Sequence, residues 1–118
     1  MIFNKKEYAR VRSAIQLLDN RFRVDYNSIR INTHNNLRHE LAKCKVAYLL
    51  IKDGKKIVTE AVFKKGRADI FVPADFRVYE ILETEELTAA LSKKGYYPSE
   101  VDIKFLTTFE ILGDDFEL

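Results

Sequence analysis

The spacing of apolar residues changes period midway along the chain. In the first half it is helical. Asn4 can cap a helix with Glu7 three residues on, and Tyr8, Val11, Ile15 and Leu18 then recur at helical intervals, predicting a helix over 5–19 that ends near Asp19-Asn20. Residues 21–36 set Phe22, Val24, Tyr26, Ile29 and Ile31 singly among arginines and asparagines, a partial alternation that predicts a loop or short strand. A second helix starts at Asn36. Leu37, Leu41, Cys44, Tyr48 and Ile51 form its apolar stripe, expected to cover a sheet, and Asp53-Gly54 closes it.

From Lys55 the period shortens to two. KKIVTEAVF (55–63), ADIFV (68–72) and RVYEIL (77–82) read as strands, with turns at KKGR (64–67) and PADF, which predicts a three-strand meander. Thr84 then caps a third helix running to about Lys94, with Leu87, Ala90 and Leu91 inward and Gly95 as its stop. After Tyr97-Pro98, Val101, Ile103 and Phe105 alternate as a fourth strand. The order from the second helix onward is αβββαβ, an α/β fold with an additional N-terminal helix. No repeat or linker interrupts it, so residues 1–118 read as one domain, with 1–35 a basic extension and 36–112 the core.

Composition narrows the function classes. No run of about 18 uncharged apolar residues exists and MIFNKKEYARVR lacks the order of a signal peptide, so a soluble, cytoplasmic protein with no membrane partner is expected. The single Cys44, with His34 and His39, offers neither a disulfide framework nor zinc spacing; Cys44 reads as a core residue and His34 as a loop residue. The net charge of +2 conceals a division: residues 1–60 carry 13 basic and 6 acidic side chains, residues 61–118 carry 7 and 12. In the basic half, Arg10, Arg12, Arg21, Arg23, Arg30 and Arg38 recur among aromatic and apolar residues, where guanidinium groups suit phosphate; a solvated basic surface is the alternative. The acidic end, GDDFEL, reads as a solvated tail.

Two carboxylates sit inside apparent core strands. Asp69 follows the first hairpin turn, Glu80 lies mid-strand, Glu60 lies near the end of the first strand, and Glu40 is just off the stripe of the second helix. Buried carboxylates without partners cost several kcal/mol each and repel one another, so their convergence at one sheet edge implies a cation. Neighbouring lysines and arginines (Lys56, Lys64, Lys65, Arg67) or an oxygen-ligated Mg²⁺ or Mn²⁺ could supply it; the alternative for each acid singly is a solvated sheet face.

HELAKCKVAYLLIKDGKKIVTEAVFKKGRADIFV followed by RVYEIL resembles the PD-(D/E)XK nuclease superfamily, particularly its small Holliday junction resolvase-like and restriction-endonuclease-like members, over roughly residues 36 to 110. The resemblance implies a restriction-endonuclease-like αβββαβ core, a central mixed sheet flanked by helices. It also implies metal ligation by Asp69 in GRAD, by Glu80 as first acid of the tripeptide, and by Glu40 as the helix acid. The motif lysine falls on Leu82, which cannot polarise a water. Lys43 is the first substitute, since three residues after Glu40 it sits about 60° round the helix on a neighbouring face. Lys64 and Lys65 come second, and His39 is a candidate phosphate contact or proton donor. The implied activity is metal-dependent hydrolysis of phosphodiester bonds in DNA, branched or otherwise structured, by a homodimer. A nuclease-like factor without catalysis, or a protein-interaction domain, are the alternatives.

Overall fold

The computed structural model describes residues 4–83 and 93–118. Two helices, α1 (Lys5–Ile15) and α2 (Leu37–Lys52), precede a four-stranded sheet of β1 (Val58–Val62), β2 (Arg67–Val72), β3 (Arg77–Leu82) and β4 (Asp102–Thr107), in that spatial order. The first three strands are an antiparallel meander; β4 lies parallel to β3, with Glu80 opposite Phe105. The protein is therefore α/β with a mixed sheet. The helix expected over Thr84–Lys94 falls largely on residues 84–92, outside the described residues.

Local chemistry accounts for most boundaries. Asn4 accepts from the Glu7 N–H in a complete capping box, and Asn36 accepts from the His39 N–H. Gly54, at φ 85°, takes the left-handed turn that ends α2. Between β2 and β3, Pro73–Asp75 forms a 3-10 turn on which α1 packs, with the Arg10 Nε–H donating to the Ala74 carbonyl at 2.8 Å. Helix α1 stops at Ile15, four residues before its expected end, because the chain turns into the sheet edge: Leu18 bridges to Phe63 and the Asp19 N–H donates to the Val62 carbonyl. Residues 21–36 form no strand, and a short helix, Thr108–Ile111, interrupts what reads as continued strand. Its capping box of Thr107 and Glu110 stops β4.

Two cores lie on opposite faces of the sheet. Under α2, Ala42, Val46, Ala47 and Leu50 meet Ile70, Val72, Tyr79, Ile81 and Leu106; on the α1 side, Ala14 and Leu18 meet Phe71, Val78 and Tyr97. Helix α2 thus presents the face opposite to the one expected. Leu37, Leu41 and Tyr48 are exposed, Cys44 is half-buried, and of that stripe Ile51 alone packs against the core. Both faces of α2 are apolar over its second half, and the small Ala42 and Ala47 let the helix approach the sheet closely. The outcome predicts a contrast: Leu50→Ala should lower unfolding free energy by about 2–5 kcal/mol in urea melts, and Leu37→Lys by no more than about 0.5 kcal/mol. Equal losses would contradict this orientation.

Candidate functional site

The sheet opens at one end. Strands β2 and β3 pair through Val72↔Arg77, Phe71↔Val78 and Ile70↔Tyr79, and the registered ladder stops just before Asp69 and Glu80. In the gap, the Ile81 N–H donates to Asp69 Oδ2 at 2.8 Å, so a side chain takes the place of a strand partner. The register of β1 with β2 likewise passes from Thr59↔Ile70 to Ala61↔Ala68, skipping the position of Glu60 and Asp69. Glu60 there adopts φ 50°, a left-handed conformation costing a non-glycine residue about 1–3 kcal/mol. The kink upsets strict alternation: Val58 and Ala61 join one core, as do Ala68 and Phe71.

The buried first turns of α2 meet this opening. Lys43, with no exposed surface, donates to Glu40 Oε1 at 2.6 Å and to the Arg30 carbonyl at 2.6 Å, and its Nζ lies 3.4 Å from Glu60 Oε2. Glu40 also accepts from the Asn32 N–H at 2.7 Å and from Asn35 Nδ2 at 3.1 Å, and its Oε2 lies 2.8 Å from His39 Nδ1. Four partners fill the acceptor sites of one carboxylate. His39 continues the chain, with Nε2 3.5 Å from Asp69 Oδ2. Asn32 ties in the last acid, its Nδ2 donating to Glu60 Oε1 at 2.9 Å. Pattern reading had no access to Asn32 and Asn35, which lie in a loop without periodicity.

Glu80 is buried and accepts a hydrogen bond from the Tyr97 hydroxyl, which also lies 3.2 Å from the Arg67 carbonyl. Gly66 helps bring Tyr97 there, since a Cβ at that position would come within 3.1 Å of the Tyr96 Cβ. Burial pushes the Tyr97 phenol well above its usual range, and the charges of Glu80 and Asp69 push the same way. Both carboxylates therefore act on one protonated hydroxyl. Glu60, Lys43, Glu40, His39 and Asp69 form a continuous polar chain at the open end of the sheet, and the Tyr97–Glu80 pair is linked to it through the charge of Asp69.

Its electrostatics set a pH window. Burial opposes charge on His39, but Asp69 and Glu40 outweigh it and raise the imidazole to about 9 from 6.5. Burial likewise opposes charge on Glu40, yet the Asn32 N–H, Lys43, His39 and Asn35 lower it to about 2 from 4.5. A raised histidine stabilises the fold fully below its unfolded value and loses that contribution as pH rises through about 9. A depressed glutamate contributes fully above its unfolded value and loses it as pH falls through about 2. In metal-free buffer these two groups should give a stability plateau between about 4.5 and 6.5, declining on both sides. An NMR titration placing the His39 ring near 6.5 would refute the bridge.

The arginines are less unified. Arg21 pairs with Asp19 at 2.7 Å, while Arg23 and Arg30 share Asp25 at 2.9 and 2.8 Å. Arg38 lies apart at the start of α2, 3.5 Å from the Thr108 hydroxyl. Lys64 acts on Asp19, and both Lys64 and Lys65 are exposed in the β1–β2 turn. Lys43 is in hydrogen-bond contact with the acid chain through Glu40.

Mg²⁺ is ordinarily held by one or two carboxylates, with water and substrate phosphate completing its shell. Asp69 and Glu80 lie on adjacent strands just beyond the last registered β2–β3 pair, Asp69 against His39 and Glu80 against Tyr97, and Asp69 Oδ1 has no hydrogen-bond partner among the described residues. Glu40 brings filled acceptor sites. Among the described residues, no three His, Cys, Asp or Glu side chains converge to hold a metal ion. No described helix is long and apolar enough to cross a membrane. Comparison with protein-family models, curated proteins and solved structures finds no match for the chain.

Proposed function

We propose that this protein is a metal-dependent endonuclease of the PD-(D/E)XK kind, hydrolysing phosphodiester bonds in branched or otherwise structured DNA. One observation carries the reading: the β2–β3 ladder ends at Asp69 and Glu80, and α2 brings Glu40, His39 and Lys43 against that opening. The sheet order, a meander followed by a parallel fourth strand, supports it.

In this proposal Asp69 and Glu80 hold Mg²⁺ or Mn²⁺, which when bound supplies Lewis acidity and an acidified water. The Ile81 N–H and His39 aim the Asp69 carboxylate, and the Tyr97 hydroxyl aims Glu80. Lys43, fully buried behind Glu40 and Glu60, is a positioning residue: it neutralises the acids that hold α2 over the opening. Arg67, half exposed at the start of β2, is suited to contact the phosphate backbone. The proposal includes a symmetric homodimer. Sedimentation showing a monomer at micromolar concentration would remove that part.

A second reading has its own observation. Leu82 replaces the motif lysine and pairs with Thr107 in the β3–β4 ladder, which favours a nuclease-like DNA-binding factor without catalysis. Incubation with four-way, single-stranded and duplex DNA in Mg²⁺ or Mn²⁺ decides between them. Cleavage supports the endonuclease; salt-dependent binding without cleavage supports the binding factor, and absence of both rejects the two together.

A further inference from the structure

A polar groove runs along the outer edge of β1, lined by Phe22, Arg30, Asn32, Glu60 and Arg67 among others. It shares Glu60 and Asn32 with the acid chain, so its floor is continuous with the open end of the sheet. Phe22 is 45% exposed although it is a large aromatic ring, and the Arg21 guanidinium lies 6.0 Å from its centre. Arg67, its side chain 53% exposed, stands 4.0 Å from Glu60, too far for a direct hydrogen bond. Arg30 contributes a second guanidinium, held by Asp25 and the Arg23 carbonyl.

An exposed ring flanked by guanidinium groups, at the edge of a polar groove, matches the two needs of unpaired nucleic acid. Bases stack on an aromatic face whatever their identity, and phosphates take charge-assisted hydrogen bonds from arginine. A base pair inside a duplex is stacked on both faces and offers none to Phe22. We infer that this groove binds an unpaired nucleotide of the DNA substrate, its base on Phe22 and its phosphate on Arg67 and Arg30. The inference rests on the DNA reading above and specifies its substrate as a duplex with a single-stranded branch or overhang.

Fluorescence anisotropy in EDTA tests it without requiring cleavage, using a blunt duplex and the same duplex with a thymidine overhang. The parent should prefer the overhang, and Phe22→Ala should reduce that preference about tenfold while Phe22→Trp retains it. Arg67→Gln should weaken overhang binding and flatten its salt dependence by roughly one counterion. Thermal melts of each variant establish that it is folded. No preference in the parent, or an undiminished preference in folded Phe22→Ala, overturns the inference while leaving nuclease activity on other DNA standing. If the parent binds neither probe, the DNA reading falls and this inference falls with it.

Discussion

Replacing Lys43 with methionine should lower the unfolding free energy by about 3–5 kcal/mol. Methionine fills nearly the same volume, so the loss is one of charge and hydrogen bonds and not of packing. The ammonium is fully buried and touches Glu40, Glu60 and the Arg30 carbonyl. Without it, two buried carboxylates face each other across a site from which their counter-charge has gone. Adding Glu40→Gln should recover part of the loss, because an amide needs no buried counter-ion. Urea denaturation at neutral pH reads both effects. A cost below about 1 kcal/mol for Lys43→Met would mean that water or a mobile cation replaces the ammonium. The consequence for activity separates the roles: a positioning lysine loses cleavage in step with the folded population, whereas a lysine at the scissile phosphate loses turnover in the folded protein.

On the endonuclease reading, Asp69→Asn should cut DNA cleavage by a factor on the order of a thousand under Mg²⁺ in protein that still folds, at a cost in stability because the His39 ring loses its Asp69 partner. The amide oxygen can still accept from the Ile81 N–H, so the strand opening keeps its local tie. What disappears is the negative charge that the proposed metal site requires of Asp69. Glu80→Gln should behave in the same way, with the Tyr97 hydroxyl still donating to a side-chain oxygen. DNA affinity in EDTA should persist or rise in both, since a carboxylate charge no longer repels phosphate. Retained cleavage in folded Asp69→Asn would remove Asp69 from the chemistry. If the parent itself cleaves nothing, Leu82→Lys becomes the informative variant: activity gained there marks a nuclease framework whose chemistry has been removed, and continued inactivity supports the binding reading.

Strand positions were legible in the sequence because their causes are local. The alternation in ADIFV and RVYEIL, the turn residues around Gly66 and Pro73, and the caps Asn4 and Asn36 act within a few residues of where they occur. The same locality let Asp69, Glu80, Glu60 and Glu40 be singled out as acids in apolar surroundings. The face of α2 was another matter. Its two apolar stripes are comparable, and the choice between them came from partners remote in sequence: the loop asparagines satisfy Glu40, Glu60 receives Lys43, and Ala42 and Ala47 fit against the sheet. Burial of His39, Glu40 and Lys43 is tolerable only once those partners are assembled, and no residue spacing encodes that. The sequence by itself determined that Asp69, Glu80, Glu60 and Glu40 sit within or beside apolar segments. Only the tertiary structure decided which groups partner them, because hydrogen-bond satisfaction depends on distances across the fold and not along the chain.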